Sequence, residues 1–379
     1  MSLFRKVLGY LYRHIAPYLL PNRLCSILER KRHFSFIEGF KEYKKDEKLS
    51  EDFSESNNLD PKIVLSVQGF GFSGSGAVLD LLSEVDVCDV VGTDINNTSK
   101  EEDHHSLFES NFLKVSKDLF EIEKYVDSNN FFQNDAAIKR LILYLEQFPP
   151  FLENRDIRIL FYSFFDEIVD LQLLNLSKFS YNRHLYYSNY LADKAIFFIR
   201  PMSVQDYRCK VRRLLSSLFK MININNKSIL VFDQLLCDFE FDITRYKEYI
   251  PSNKIISVYR DPRDVYYFAC KRNVEWIEHS SAYAFIKWYN KMVCSLDLYS
   301  HDYLVVQFER LVNNYNEETQ RIFNYLGISN THHDVNLKMR FFNPSVSSRN
   351  VGIWRNDFSL FHDMLKIESE LKKFCYNRD

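Results

Sequence analysis

Glycine and proline are scarce in this chain, nine of each in 379 residues. That excludes collagen-like repeats and the glycine- or proline-rich low-complexity class. Cysteine is thin as well. The seven cysteines (25, 88, 209, 237, 270, 294 and 375) are odd in number, scattered and never spaced as CxxC. This excludes a zinc-finger framework and predicts free thiols in a reducing compartment rather than disulfides. No His/Cys spacing suggests a metal site, and none is expected. A run of about 18 uninterrupted apolar residues, the mark of a membrane span, is missing too. So is an excess of one charge: the formal net charge is −2, which gives no electrostatic case for nucleic-acid binding.

What is present is ordinary for a globular protein, with 46% hydrophobic and 26% charged residues in a length that suits one large domain or two small ones. The N-terminus has no cleavable-signal pattern, because basic residues interrupt its apolar part. At helical spacing Leu3, Phe4, Val7, Leu8, Leu11, Tyr12 and Ile15 share one face, with Arg5, Lys6, Arg13 and His14 opposite. Residues 1–32 hold seven Lys and Arg against the single acid Glu29. Two readings stand for this segment: a helix packed on its own domain, or one lying on an anionic membrane face. Residues 41–60 are polar and charged and read as a linker, so 1–60 forms an N-terminal region preceding a main domain at 61–379.

In the main domain four apolar runs read as strands: Lys62 to Phe70, Ser228 to Gln234, Lys254 to Arg260 and Tyr303 to Leu311. The segment Ala77 to Val85 begins a helix, and a later one has Asn316 as expected N-cap and Gly327 as its stop. Helical patches fill about 95–225. The expected fold is therefore α/β, a three-layer parallel sheet with helices on both faces, a P-loop-like phosphate-binding loop and a mainly helical insertion.

The loop is Gly69-Phe-Gly-Phe-Ser-Gly-Ser-Gly76, set between the first strand and the first helix. Glycines there let the backbone approach a phosphate, and the N–H groups of the turn and helix supply a positive field. Against GxxxxGK[ST], Gly69 and Gly74 fit, but Ser75 stands at the lysine and Gly76 at the metal-binding hydroxyl. A magnesium–triphosphate site would lack both groups, so the expectation is a less charged ligand bound without metal.

Two further segments follow in order: "VYRDPRDVYYFACKR" after the third strand, and "SSRNVGIWRNDF" near the C-terminus. Together with the loop they resemble the signature segments of sulfotransferases that use 3′-phosphoadenosine 5′-phosphosulfate (PAPS). The resemblance covers roughly 61–95 and 226–358. It implies that Phe72, Ser73, Gly74, Ser75 and Gly76 hold the 5′-phosphosulfate. Arg260 and Arg349, the latter with Gly352, would clamp the 3′-phosphate, a task suited to the guanidinium fork. Arg263 and Asp264 read as an ion pair or helix cap.

The sequence departs from that family at Phe72, where a basic residue is usual, at Phe268, where a serine is, and at Gly76. A cation from elsewhere is then expected, with Arg355, Lys210, Arg212 and Arg213 as candidates. The base implied is Asp233, with Gln234 beside it; His104 and His105 in "EEDHH" are the alternative. Asp233 also fits a metal-binding aspartate of a P-loop nucleotidase. The function implied is sulfuryl transfer from PAPS, with PAP as product; the many aromatic residues of the insertion and the basic amphipathic N-terminus point to a carbohydrate or glycolipid hydroxyl as acceptor. The protein is expected in the cytoplasm, with peripheral membrane contact through residues 1–32 left open. A P-loop kinase or NTPase, or a nucleotide-binding relative without turnover, are the rival readings.

Overall fold

The computed structural model describes residues 59–91, 118–126, 131–145, 155–173, 195–235, 243–293, 302–333 and 339–377. The region 1–58 and His104 and His105 lie outside the described residues. One compact unit, Asn57–Asp170 with Phe197–Asp379, contains everything below except parts of two short strands.

Strand β1 (Ile63–Gln68) leads into helix α1 (Ser75–Leu82) and strand β2 (Cys88–Val90). The region of the expected insertion contributes helices α2 (Phe131–Leu145) and α3 (Arg155–Ile168), the paired strands β3 (Val169–Leu173) and β4 (Ala195–Ile199), and helix α4 (Val204–Ile222). Then come β5 (Ile229–Asp233), α5 (Ile243–Tyr249), β6 (Asn253–Tyr259), α6 (Pro262–Arg272), α7 (Ala282–Val293) and β7 (Leu304–Gln307). Helices α8 (Phe308–Asn313), α9 (Tyr315–Leu326), α10 (Pro344–Ser347) and α11 (Phe361–Glu370) close the described chain.

The main sheet has the order β2-β5-β1-β6-β7, and every pairing in it is parallel. Parallel strands need crossovers, and these bury both sheet faces. Accordingly β1 is buried at five of its six positions. One face carries Leu65, Val67, Val231, Ile256, Val258 and Val306 into a core shared with α1, α8 and α9. On the other, Phe232 meets Phe219 of α4 with ring centroids 5.6 Å apart. That is the three-layer α/β arrangement expected.

Two boundaries differ from expectation. The fourth strand ends at Gln307, and "FERL" begins α8 instead, because Phe308, Leu311 and Val312 at helical spacing turn one face into the core. Asn316 is not the cap of α9: the N-cap is Asn314, whose side chain makes no capping bond, and Asn316 lies in the first turn. The stop does fall at Gly327, in the left-handed region at φ 73°.

Candidate nucleotide-binding site

The ends of the three central strands set the site. Val67 of β1 is in register with Asp233 of β5 and with Ile256 of β6. The Gln234 N–H donates to the Val67 carbonyl at 2.8 Å. Asp233, the glycine loop and Arg260 therefore emerge side by side at the carboxyl edge of a parallel sheet, where open α/β folds take their ligands.

The loop is wound tightly. Ser73 N–H donates to the Phe70 carbonyl at 2.8 Å, and Gly74 caps α1 at φ 89°, ψ 16°. A Cβ on Gly74 would stand 2.5 Å from Phe308 Cδ2, so that position accepts only glycine on both conformational and steric grounds. The Ser73 hydroxyl is fully buried without a hydrogen-bond partner, and a Cβ on Gly69 would run into it. A buried unpaired hydroxyl in a turn at a helix N-terminus fits a loop built to meet an anionic ligand.

Arg260 leaves β6 with 5% of its surface exposed. Its guanidinium lies over the rings of Phe268 and Phe308, 4.8 Å from each centroid, and donates to the Asn350 carbonyl. Asp264 and Glu309 each stand 3.8 Å away. Desolvation lowers the pKa of Arg260, opposed by these carboxylates. Burial, then the Asp261 carboxylate, pushes Glu309 up to about 8; burial likewise raises Asp264 to about 6, with Arg260 pulling it down. Asn350, whose carbonyl Arg260 binds, follows Arg349 in the short turn Ser348–Asn350, and the Arg349 side chain is exposed. Arg260 is thus tied to the segment that carries Arg349.

The neighbouring charges have structural partners. Asp261 caps α6 through the Arg263 N–H, and Arg263 returns a two-pronged ion pair to it at 3.0 and 2.6 Å. Asp264 accepts the Gly352 and Trp354 N–H groups at 2.8 and 3.2 Å. Arg263 is thus in an ion pair, but with Asp261, which is also the cap; Asp264 is neither cap nor partner of Arg263 and instead anchors the turn at Gly352, whose N–H is already engaged.

Phe72 and Phe268, two of the three departures from the sulfotransferase pattern, touch each other. Their rings stack with centroids 5.5 Å apart, and Phe72 holds φ at 64°. A closed circuit results: Gly74 on Phe308, Phe308 on Arg260, Arg260 on Phe268, and Phe268 on Phe72 back in the loop. Of the cations proposed from sequence, three lie on α4 and Arg355 lies in the turn that Asp264 anchors. Lys210 and Arg213 both pair with Glu167 at 2.8 Å, Arg212 donates to the Glu248 carbonyl, and Arg355 lies over the Trp354 ring at 5.0 Å. Sequence reading missed Glu309 and Arg272. Glu309 opens a helix that looked like strand. Arg272 lies over both Phe72 and Phe268, at 5.4 and 5.3 Å.

No protein-family model and no curated protein matches the chain. Solved structures do. The sulfotransferase domain of an olefin synthase from Synechococcus PCC 7002 is similar at TM-score 0.36 and 12% identity, over 86% of this chain and 98% of that one. Sulfotransferase STF9 from Mycobacterium avium is similar at TM-score 0.35 and 11% identity, over 88% and 80%. Retinol dehydratase, crystallised with androsterone and the inactive cofactor PAP, is similar at TM-score 0.32 and 13% identity, over 87% and 86%.

Proposed function

We propose that this protein is a PAPS-dependent sulfotransferase that sulfates a carbohydrate or glycolipid hydroxyl. The observation that carries the reading is the junction of the three signature segments at one sheet edge. The glycine loop holds a buried unpartnered hydroxyl, Arg260 emerges beside it, and the turn at Arg349 is bound to Arg260.

In the reaction the acceptor oxygen attacks sulfur, the bond from sulfur to the 5′-phosphate oxygen breaks, and PAP leaves with that electron pair. The proton released by the acceptor goes to a carboxylate, for which Asp233 at the adjoining strand end is the candidate. Such a transfer needs positioning and charge stabilisation more than covalent help. Ser75 and Gly76 stand where a magnesium–triphosphate loop has its lysine and hydroxyl, which argues for the metal-free donor.

Trp276 supports a carbohydrate acceptor. It is 70% exposed, and a Cβ on Gly71 would stand 2.7 Å from its Nε1. An aromatic surface open to solvent beside the loop is a platform on which the apolar face of a sugar ring can stack.

Thermal shift with PAP, PAPS and ATP tests the reading. PAP is expected to raise the melting temperature equally with magnesium or EDTA, and Asp233→Asn to keep that shift while losing turnover. Stabilisation by ATP only in the presence of magnesium would sink the proposal. PAP binding without turnover on any hydroxyl acceptor would point instead to a relative that only binds nucleotide.

A further inference from the structure

We propose that Arg272 is the cation of the phosphate loop, binding the 5′-phosphosulfate of the donor from the last turn of α6. The inference rests on the donor reading above and adds a residue that the three signature segments do not assign. Phe72 occupies the position within the loop where a cation would be expected, and its ring carries the Arg272 guanidinium instead.

Among the described cations near the site, Arg272 is the one stacked on a ring of the loop itself. Arg260 is committed to the Asn350 carbonyl with Asp264 and Glu309 close by, Arg263 to Asp261 and Glu368, and Lys271 to Asp357. Arg272 is exposed, and among the described residues its contacts are the two aromatic rings, with no carboxylate. A guanidinium stacked on ring faces spends its flat surface on the stack and keeps its N–H donors at its edge. Those donors match two oxygens of a phosphate or sulfuryl group at once. The Phe72–Phe268 stack is the mount for that cation: one ring belongs to the loop, the other to α6 one turn before Arg272, and the guanidinium spans them. Two aromatic substitutions that each look like losses together hold a charge at the loop.

Titration calorimetry without magnesium tests this on the full chain with PAP, adenosine 5′-phosphosulfate and adenosine 3′-phosphate. Arg272→Ala is expected to weaken the two ligands with a 5′ anion roughly tenfold or more, the scale of one charge-assisted contact. Adenosine 3′-phosphate should be unaffected. Arg272→Gln, which keeps a planar group over the rings without charge, is expected to show the same loss and guards against disturbed packing. Unchanged affinities in both variants, or a loss confined to ligands with a 3′-phosphate, would overturn the assignment while the wild type's binding upheld the donor reading. A wild type that binds none of the three ligands would overturn both.

Discussion

Glu309 stands 3.8 Å from Arg260 and accepts the Asp261 N–H at 3.0 Å, fully buried where β7 gives way to α8. Its carboxyl titrates near 8 rather than 4.5, chiefly because burial penalises the ionised form. The linkage has a definite sign. Below about 4.5 the group is protonated in both folded and unfolded chains; between there and about 8 the unfolded chain sheds a proton that the folded one retains. Stability therefore falls as pH rises through that window. Asp264, raised from 3.8 to about 6, adds a fall of the same sign at the acid end. Glu309→Gln keeps an acceptor for the Asp261 N–H and cannot ionise, so urea denaturation is expected to give a flatter stability profile between pH 5 and 8 than the wild type. Parallel profiles would mean that Glu309 is charged throughout. None of this was legible in the sequence, where Glu309 sits in an apolar run and looks like a strand residue. Arg272 was hidden for a different reason: its setting depends on a ring stack between residues far apart in the chain.

At the scale of elements, the strands that build the site could be read, because β1, β5 and β6 are apolar runs ending in a turn or a charge. The start of α6 was misread: the cap was expected at Arg263 and Asp264, but it is Asp261, with Pro262 in the first turn. Three-residue β2 was too short to leave a pattern, and β7 was overextended because an apolar run does not tell strand from helix. The loop's glycines looked alike in sequence and are not alike in the fold. Gly74→Ala forces a side chain into the left-handed region and against Phe308, and is expected to cost about 1–3 kcal/mol of stability. Gly76 is exposed, and a Cβ there would meet nothing within 4 Å. Gly76→Ala should therefore fold as well as the wild type, and replacing a helix glycine by alanine could stabilise it by about 1 kcal/mol. Chemical denaturation of the pair decides the matter. Equal losses would mean that the loop is not wound around Gly74 as described.

The chain as a whole segregates charge: its net is −2, yet residues 1–32 carry seven basic residues and one acid, so the remainder is acidic on balance. No described helix is long and apolar enough to cross a membrane. The basic segment, with its apolar residues recurring at helical spacing, has the composition of a peripheral contact with an anionic surface. Each basic residue near such a surface contributes about 1 kcal/mol, screened over about a Debye length as salt rises. The acidic remainder would be repelled by the same surface, so attachment should depend on this segment alone. If the segment lies on such a surface, full-length protein is expected to sediment with phosphatidylserine-containing vesicles at low ionic strength and to come off as salt is raised. Neutral phosphatidylcholine vesicles should hold much less of it. Deleting residues 1–32 should abolish vesicle binding while PAP affinity stays at the wild-type value, because the proposed nucleotide site lies in the 57–170 and 197–379 unit. A full-length protein that ignores anionic vesicles at low salt would leave the apolar face of this segment to pack on its own chain, and the truncated form should then lose solubility or stability instead.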